Sequence, residues 1–341
     1  MTKLYKKKIV KFTEIMKILV VQNKMGIGDM VIYIPFIEGI ARKFNSPVYL
    51  LVKKSSKADE ILKNNKLINK IIILDRKDKT GKHDGFFGSI RLIKELKNYN
   101  FDKIFIFNSS LRFNLIARLS NIKEINQYPL FQKKNQHIIE TAKEFLKSKI
   151  NSDISNDPVL NLDSKNVSYV EKKYNINKNQ KNIILGIGGS GPTKQISSKI
   201  YIKLLELICN KYPSRFFLAT GKSESEQIIL SDILRSRFVD KSVRLDKLTI
   251  NEILPIIKNC DVSICNDSSF SHLSAALSIP TLVLMADTPL IYGSYNSFMT
   301  PIIPKGEKSV IHGTLGKNKI DPFEIFSKFE MFSKKVNVQQ Q

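Results

Sequence analysis

Cysteine is scarce in this 341-residue chain, which holds three: Cys209, Cys260 and Cys265. Neither their number nor their spacing suits a disulfide framework or a zinc site, so they read as small apolar residues in a reducing compartment. Long apolar runs are absent. No stretch reaches the roughly 18 to 20 residues that a membrane span requires, and the basic N-terminus, MTKLYKKKIVKFTEIMK, lacks the apolar core of a signal peptide. These absences predict a cytoplasmic protein. Arginine is also rare, nine of 55 basic residues. A formal charge of +24 suits an anionic partner such as nucleic acid, an anionic membrane or a phosphorylated substrate. Yet Lys, Asn and Ile are abundant throughout, which reads as compositional bias. The clustered arginines and interleaved aromatics of nucleic-acid readers are missing, so no nucleic-acid partner is expected. A D-x-D metal signature is missing too, since DRKD (75–78) has the wrong spacing. No metal and no cofactor are expected.

What is present is globular: 42% apolar and 25% charged residues, in a chain long enough for two cores. Ahead of the first strand, Tyr5, Ile9, Phe12 and Met16 share one helical face, with Lys3, Lys7, Lys11 and Glu14 opposite. This extension, 1–16, reads either as a solvated leader or as a short interfacial helix on anionic lipid. From residue 17, strand-like runs alternate with helical patterns, the mark of parallel α/β layers. Strands are expected at 17–21, 48–52, 70–74 and 103–107, with helices at 29–44, over ADEILKNN and over SIRLIKELKNYN. A polar stretch, 151–181, contains the best interdomain linker. A second series follows, with strands at 182–188, 215–220, 261–266 and 281–285 and helices between them. The last helix begins at Asp321 as N-cap, with Pro322 next and Glu324 in the capping-box position. The domains so defined are the extension 1–16, an N-terminal Rossmann-like domain 17–160, a linker 161–181, a C-terminal Rossmann-like domain 182–320 and a terminal helix and tail 321–341. A ligand cleft is expected between the halves, at the carboxyl ends of the strands.

Three loops would face that cleft. The first, KMGIGDM, places Gly26 and Gly28 before Asp29, but Val31 stands where the dinucleotide fingerprint needs its third glycine. Asp29 could cap the helix, since acids are stabilised in a first turn, or face a ligand. The second, GIGGSGPTK (186–194), offers free amides, the hydroxyls of Ser190 and Thr193 and the charge of Lys194, a set that would hold a diphosphate. The alternative is a glycine-rich turn with a solvated lysine. The third follows CN at 265–266: Asp267, Ser268 and Ser269 at a strand end, then His272 in a first helical turn. There hydroxyls and amides favour an anion and Asp267 could accept from sugar hydroxyls, while His272 alone reads as well as a structural histidine.

KILVVQNKMGIGDMVIYIPFIEGIARKF, GIGGSGPTKQISSKIYIKLLELI, FFLATGKSESEQ and CDVSICNDSSFSHLSAALSIPTLVL stand in the order and spacing of glycosyltransferase family 9, which the chain resembles from about Lys17 to the final helix. That family is typified by ADP-heptose:lipopolysaccharide heptosyltransferases. The resemblance implies a GT-B fold, two Rossmann-like domains with parallel sheets facing a central cleft, and an inverting, metal-independent sugar transfer. It implies Asp29 as general base, with Gly26 and Gly28 making room for substrate. Lys194 matches the lysine that contacts the donor phosphates, and Asp267 and His272 match the acid and histidine of D-T-G-x-x-H. Ser190, Thr193, Ser268 and Ser269 complete the expected donor site. Ser268 and Ser269 replace the motif's Thr and Gly, Gln195 to Ser198 replace a common Arg-Trp-Pro-Pro run, and MADTPL (285–290) stands where F-G-P-T-D-P is usual. The implied partners are a nucleotide sugar, ADP-heptose first, and a lipopolysaccharide core or other glycan acceptor, with peripheral contact to an anionic membrane at its cytoplasmic face. Alternatives are a member using another donor or glycan, a non-catalytic nucleotide- or nucleic-acid-binding protein and, most distantly, a nicotinamide dehydrogenase.

Overall fold

The computed structural model describes residues 16–77, 80–130, 137–189 and 191–338, without the side chains of 333–338. The amphipathic reading of residues 3–16 and the site residue Ser190 therefore lie outside the described residues, Met16 excepted.

The N-terminal half contains β1 (Ile18–Gln22), α1 (Ile27–Lys43), β2 (Val48–Lys53), α2 (Ala58–Ile61), β3 (Ile68–Leu74), α3 (Gly85–Lys97), β4 (Lys103–Ile106), α4 (Leu111–Leu119), β5 (Glu124–Gln127) and α5 (Ile138–Ile150). Its five strands are parallel, in the order β3-β2-β1-β4-β5. After α6 (Ser164–Lys173), the second half runs β6 (Lys181–Gly186), α7 (Ser198–Cys209), β7 (Ser214–Ala219), α8 (Glu224–Arg235), β8 (Ser242–Arg244), α9 (Ile250–Lys258), β9 (Val262–Asn266), α10 (Ser269–Ala276), β10 (Thr281–Leu284), β11 (Met299–Ile302) and α11 (Pro322–Val338). Its six strands are also parallel, in the order β11-β10-β9-β6-β7-β8.

Alternation along the strands assigns each side chain to a layer. In β1, Ile18 and Val20 face a core built with α1 and α5, while Leu19 and Val21 face the core under α3 and α4. Every residue of β1 is buried, as a central parallel strand covered on both faces must be. In the second half α7, α8 and α11 cover one face of the sheet, and α9 and α10 the other. The layer of α9 and α10 is continuous with that of α1 and α5, so a single apolar cluster joins the halves. Polar bonds reinforce the junction: Glu60 Oε2 accepts from the Asn251 amide at the start of α9 (3.3 Å), and the Leu160 amide donates to Ala276 O (2.8 Å). Between the halves, the polar stretch is structured. It contains α6, which buries Val170 and whose Val167 carbonyl accepts from Asn259 Nδ2 at 3.0 Å.

Several elements depart from the sequence reading. The helix expected over ADEILKNN is one turn, α2, because Lys63, Asn64 and Asn65 offer no apolar face to continue it. At the other end of the chain, Asp321 Oδ1 accepts from the Phe323 amide (2.9 Å), as an N-cap does. No helix among the described residues is long and apolar enough to cross a membrane.

Candidate active site

Parallel strands deliver their following loops to one edge, and the two sheets present these edges to a shared cleft of about 1050 Å³. On the N-terminal side the chain leaves β1 and enters α1 with Gly26 as N-cap. Asp29 sits inside the first turn, where the exposed amides favour negative charge, but the helix has no side-chain cap bond. Its place in the first turn suits the helix-stabilising alternative, and its place on the cleft suits the other. Its half-buried carboxylate folds back over Gly26, where a Cβ would stand 2.9 Å from Oδ2. Gly28 fills a different need: a Cβ there would lie 2.6 Å from Cδ2 and 3.1 Å from Nε2 of His272, on the opposite half. The two glycines thus let the backbone of α1 approach the imidazole of α10 and leave room for the Asp29 carboxylate.

On the C-terminal side, the loop after β6 and the loop after β9 are stitched together. Lys194 Nζ donates to Asp267 Oδ2 at 2.7 Å, with Asp267 only 5% exposed. Asn266, fully buried, donates to Ile187 O and Gly188 O at 2.9 and 3.2 Å and accepts from the Tyr201 hydroxyl at 2.7 Å. Burial pushes Asp267 up, but Lys194's charge and hydrogen bond outweigh it and hold the carboxyl below its usual range. It is therefore ionised at neutral pH. His272 responds in the other direction: burial lowers its pKa, against the pull of Asp267 and Asp29, and keeps the ring neutral. Its Nδ1 pairs with the Tyr295 hydroxyl at 3.0 Å, and the two rings stack at 27°. The Nε2 edge is left toward Gly28.

Ser268 is the N-cap of α10, yet its hydroxyl makes no capping bond and is buried without a partner, while the Thr288 hydroxyl on the cleft wall is engaged by Asp267. An orphan hydroxyl next to Asp267 is what a polar ligand would satisfy. Ser269 also lines the cleft. Thr193 does not. Its hydroxyl is engaged by Asp287, whose Oδ1 also accepts from the Gly313 and Leu315 amides at 2.8 and 2.9 Å. That bond makes Thr193 part of the loop's scaffold.

Glu226 was not among the expected residues. In the first turn of α8, it accepts from the amides of Gly189 (3.0 Å), Gly221 (3.3 Å) and Ser223 (3.2 Å). A Cβ at Gly188 or Gly221 would stand 2.4 or 2.5 Å from its oxygens, so both glycine loops are moulded around this carboxylate. The S-x-x-E spacing of Ser223 and Glu226 was the available signal, since they form a reciprocal capping box. Tyr295, Thr288 and Asn266 had no such pattern. Among the described residues no group of three or more His, Cys, Asp or Glu is placed to hold a metal ion.

The chain matches the family model for glycosyltransferase family 9 (heptosyltransferase) over residues 89–303. It is 22% identical over 316 residues to a Campylobacter coli protein named lipopolysaccharide heptosyltransferase 1, covering 86% of this chain and 90% of that one. Among solved structures it resembles the Escherichia coli ADP-heptose lps heptosyltransferase II, with a TM-score of 0.71 at 16% identity over 94% of this chain and 100% of the other. It also resembles a family 9 glycosyltransferase from Veillonella parvula, with a TM-score of 0.73 at 16% identity over 93% and 97%. The E. coli heptosyltransferase WaaC with ADP gives 0.68 at 14% identity over 93% and 100%. At these identities the structures establish the fold, two Rossmann-like halves in the GT-B arrangement. The family match adds the class of chemistry, and the chain belongs to glycosyltransferase family 9, the heptosyltransferase family.

Proposed function

We propose that this glycosyltransferase moves heptose from ADP-heptose onto a lipopolysaccharide core acceptor, with inversion and without a metal, at the cytoplasmic face of the membrane. In this reading residues 17–160 bind the acceptor and 182–320 the nucleotide sugar, with 161–181 joining them and 321–341 closing the chain. The observation that carries it is the opposition of Asp29 to Lys194, Asp267 and His272 across one cleft, at a spacing so close that only glycine fits at position 28. The curated C. coli relative is named for lipopolysaccharide heptose transfer, and a fold relative is a heptosyltransferase solved with ADP.

The proposed chemistry uses this placement. The acceptor hydroxyl attacks the anomeric carbon from the Asp29 side and gives its proton to that carboxylate. The anomeric C–O bond to the diphosphate breaks on the other side, and its electron pair leaves with ADP. Positive charge developing on the sugar ring is stabilised by the nearby Asp29 and Asp267 carboxylates. Negative charge developing on the diphosphate is met by Lys194 and the free amides at the start of α10. Asp267 holds Lys194 charged and aimed before the donor arrives. Neutral His272, fixed through Tyr295, offers a hydrogen bond at Nε2 without competing for the phosphate's countercharge. The orphan hydroxyl of Ser268 gives the donor a further partner.

The test is thermal stabilisation of the purified protein by ADP, UDP, GDP, NAD and ADP-heptose. A ligand at ~100 times its Kd adds about 2.7 kcal/mol, a readily measured shift. Selective response to ADP and ADP-heptose is the expected result. Preference for UDP or GDP would overturn the donor assignment, and no response to any nucleotide would overturn the role of the Lys194 loop.

A further inference from the structure

Among the described residues, the most exposed large apolar side chains outside the cleft belong to two adjacent residues in the first turn of α3, Phe86 at 75% and Phe87 at 76% exposure. Their rings meet edge to face with centroids 5.8 Å apart, so they form one projecting apolar tip. Beside them runs α4, whose Leu111, Leu115 and Leu119 recur every four residues along one face and are 51%, 49% and 56% exposed. Arg112 fastens the two helices: its Nε donates to Ser89 Oγ at 2.9 Å and its guanidinium also reaches His83 O. The first turns of α3 and α4 are thus side by side. Scattered apolar residues on a surface are ordinary, whereas five large ones on neighbouring turns mark an interaction face.

The charge around this face is mostly positive, and its acids, Asp84, Glu95 and Glu124, are each paired with a cation. Arg91, Lys94, Lys97, Arg118 and Lys123 are exposed on the two helices or just beyond them. Glu95, the one acid on either helix, is already paired with Lys82 and with His83 Nε2 at 3.2 Å. Asp84, just ahead of α3, is occupied by Arg76 at 3.0 Å and by the Lys77 and Gly81 amides. Apolar residues surrounded by uncompensated cations are complementary to an anionic bilayer, where the rings enter the interface and the cations meet phosphate headgroups. A protein partner would need acids to match these cations, and a second copy of this basic chain would bring more of the same charge.

Position strengthens the assignment. Both helices begin where β3 and β4 end, at the carboxyl edge of the sheet from which Asp29 also emerges. We propose that the face formed by Phe86, Phe87, Leu111, Leu115 and Leu119 docks the protein on an anionic lipid surface, which brings a membrane-borne acceptor to the Asp29 side of the cleft. The proposal rests on the acceptor being lipid-anchored, and its test is independent of turnover.

The experiment is co-sedimentation of the full-length protein with vesicles of phosphatidylcholine alone and of phosphatidylcholine mixed with phosphatidylglycerol. The wild type is expected to partition onto the anionic vesicles only. Phe86→Ser/Phe87→Ser, and separately Leu111→Ser/Leu115→Ser, should lower that partition by at least about tenfold, since each removes apolar area that the interface would bury. Melting temperature and ADP affinity should stay at the wild-type value. Residues 1–15 are retained in every variant, so the difference reports this face alone. Wild-type partition by both variants would overturn the proposal, as would a wild type that remains in the supernatant. So would sedimentation velocity revealing a wild-type dimer that either variant breaks, since the face would then join two copies. A wild type that sediments with anionic vesicles but does not bind ADP would instead overturn the nucleotide-sugar reading and leave this one standing.

Discussion

Adding one methyl group at Gly28 separates the geometry of the cleft from the stability of the fold. The new Cβ would stand 2.6 Å from His272 Cδ2 and 3.1 Å from Nε2. Ordinary carbon–carbon contact is at about 3.5 to 4.0 Å, so relief requires a displacement of roughly 1 Å. The imidazole has little freedom to yield, being 5% exposed and held by Tyr295 at Nδ1. The movement must then come from α1 or α10, and it widens the gap between Asp29 and the donor loops. Misplacement by ~1 Å costs about 100-fold in rate. The position is helical, so alanine is locally favourable by up to about 1 kcal/mol. Gly28→Ala should therefore lose about 100-fold in kcat/KM for ADP release and keep a near-normal melting temperature. His272→Ala removes the obstruction, so adding Gly28→Ala to it should cause little further loss, a coupling that a double-mutant cycle measures. A Gly28→Ala enzyme within about twofold of wild type would refute the close approach of the two halves.

Other perturbations have equally specific outcomes. Lys194→Met leaves Asp267 buried without its partner, at a cost of about 3 kcal/mol or more, so chemical denaturation should show that loss along with weakened ADP binding. Adding Asp267→Asn should recover part of the stability but not the binding. Replacing Glu226 by Ala orphans the Gly189 and Gly221 amides, each worth about 1 to 3 kcal/mol if it stays buried. Donor KM should rise more than kcat falls, which steady-state kinetics would resolve. Stability should also fall on acidification. His272 and His137 have pKa values lowered by burial, His137 to about 4, so the unfolded chain takes up protons near 6.5 before the native state does. Their contribution is present above pH 6.5 and is lost as pH falls through the depressed values. His137→Asn preserves an N-cap side chain for α5 and should flatten that decline in urea titrations between pH 6.5 and 4.

The fold was legible where burial is uniform. Apolar runs such as ILVV and IIL read as central parallel strands, and glycine-rich loops after them marked the cleft. It was illegible where an element is held by context. The edge strand β5, EINQ, is polar at three of its four residues because one of its sides lacks a neighbour. Helix α6 buries only Val170 and owes its place to α9, so its polar sequence resembles a linker. Residues whose type announces chemistry were found from the sequence: Asp29, Lys194, Asp267 and His272 all line the cleft. Thr193 could not be placed correctly because the competitor for its hydroxyl, Asp287, is 94 residues away in the chain. Glu226 was missed because a capping-box glutamate looks local, and its bond to the distant Gly189 loop appears only in three dimensions.

The most direct measurement pairs the single-turnover rate of Asp29→Asn with its ADP affinity by calorimetry. The substitution keeps shape and removes the proton acceptor, while the donor loops on the other half are untouched. The account predicts transfer reduced by at least about 1,000-fold, within the range ascribed to a general base, with ADP bound as tightly as by the wild type. Turnover near the wild-type rate would contradict it and remove Asp29 from the chemistry.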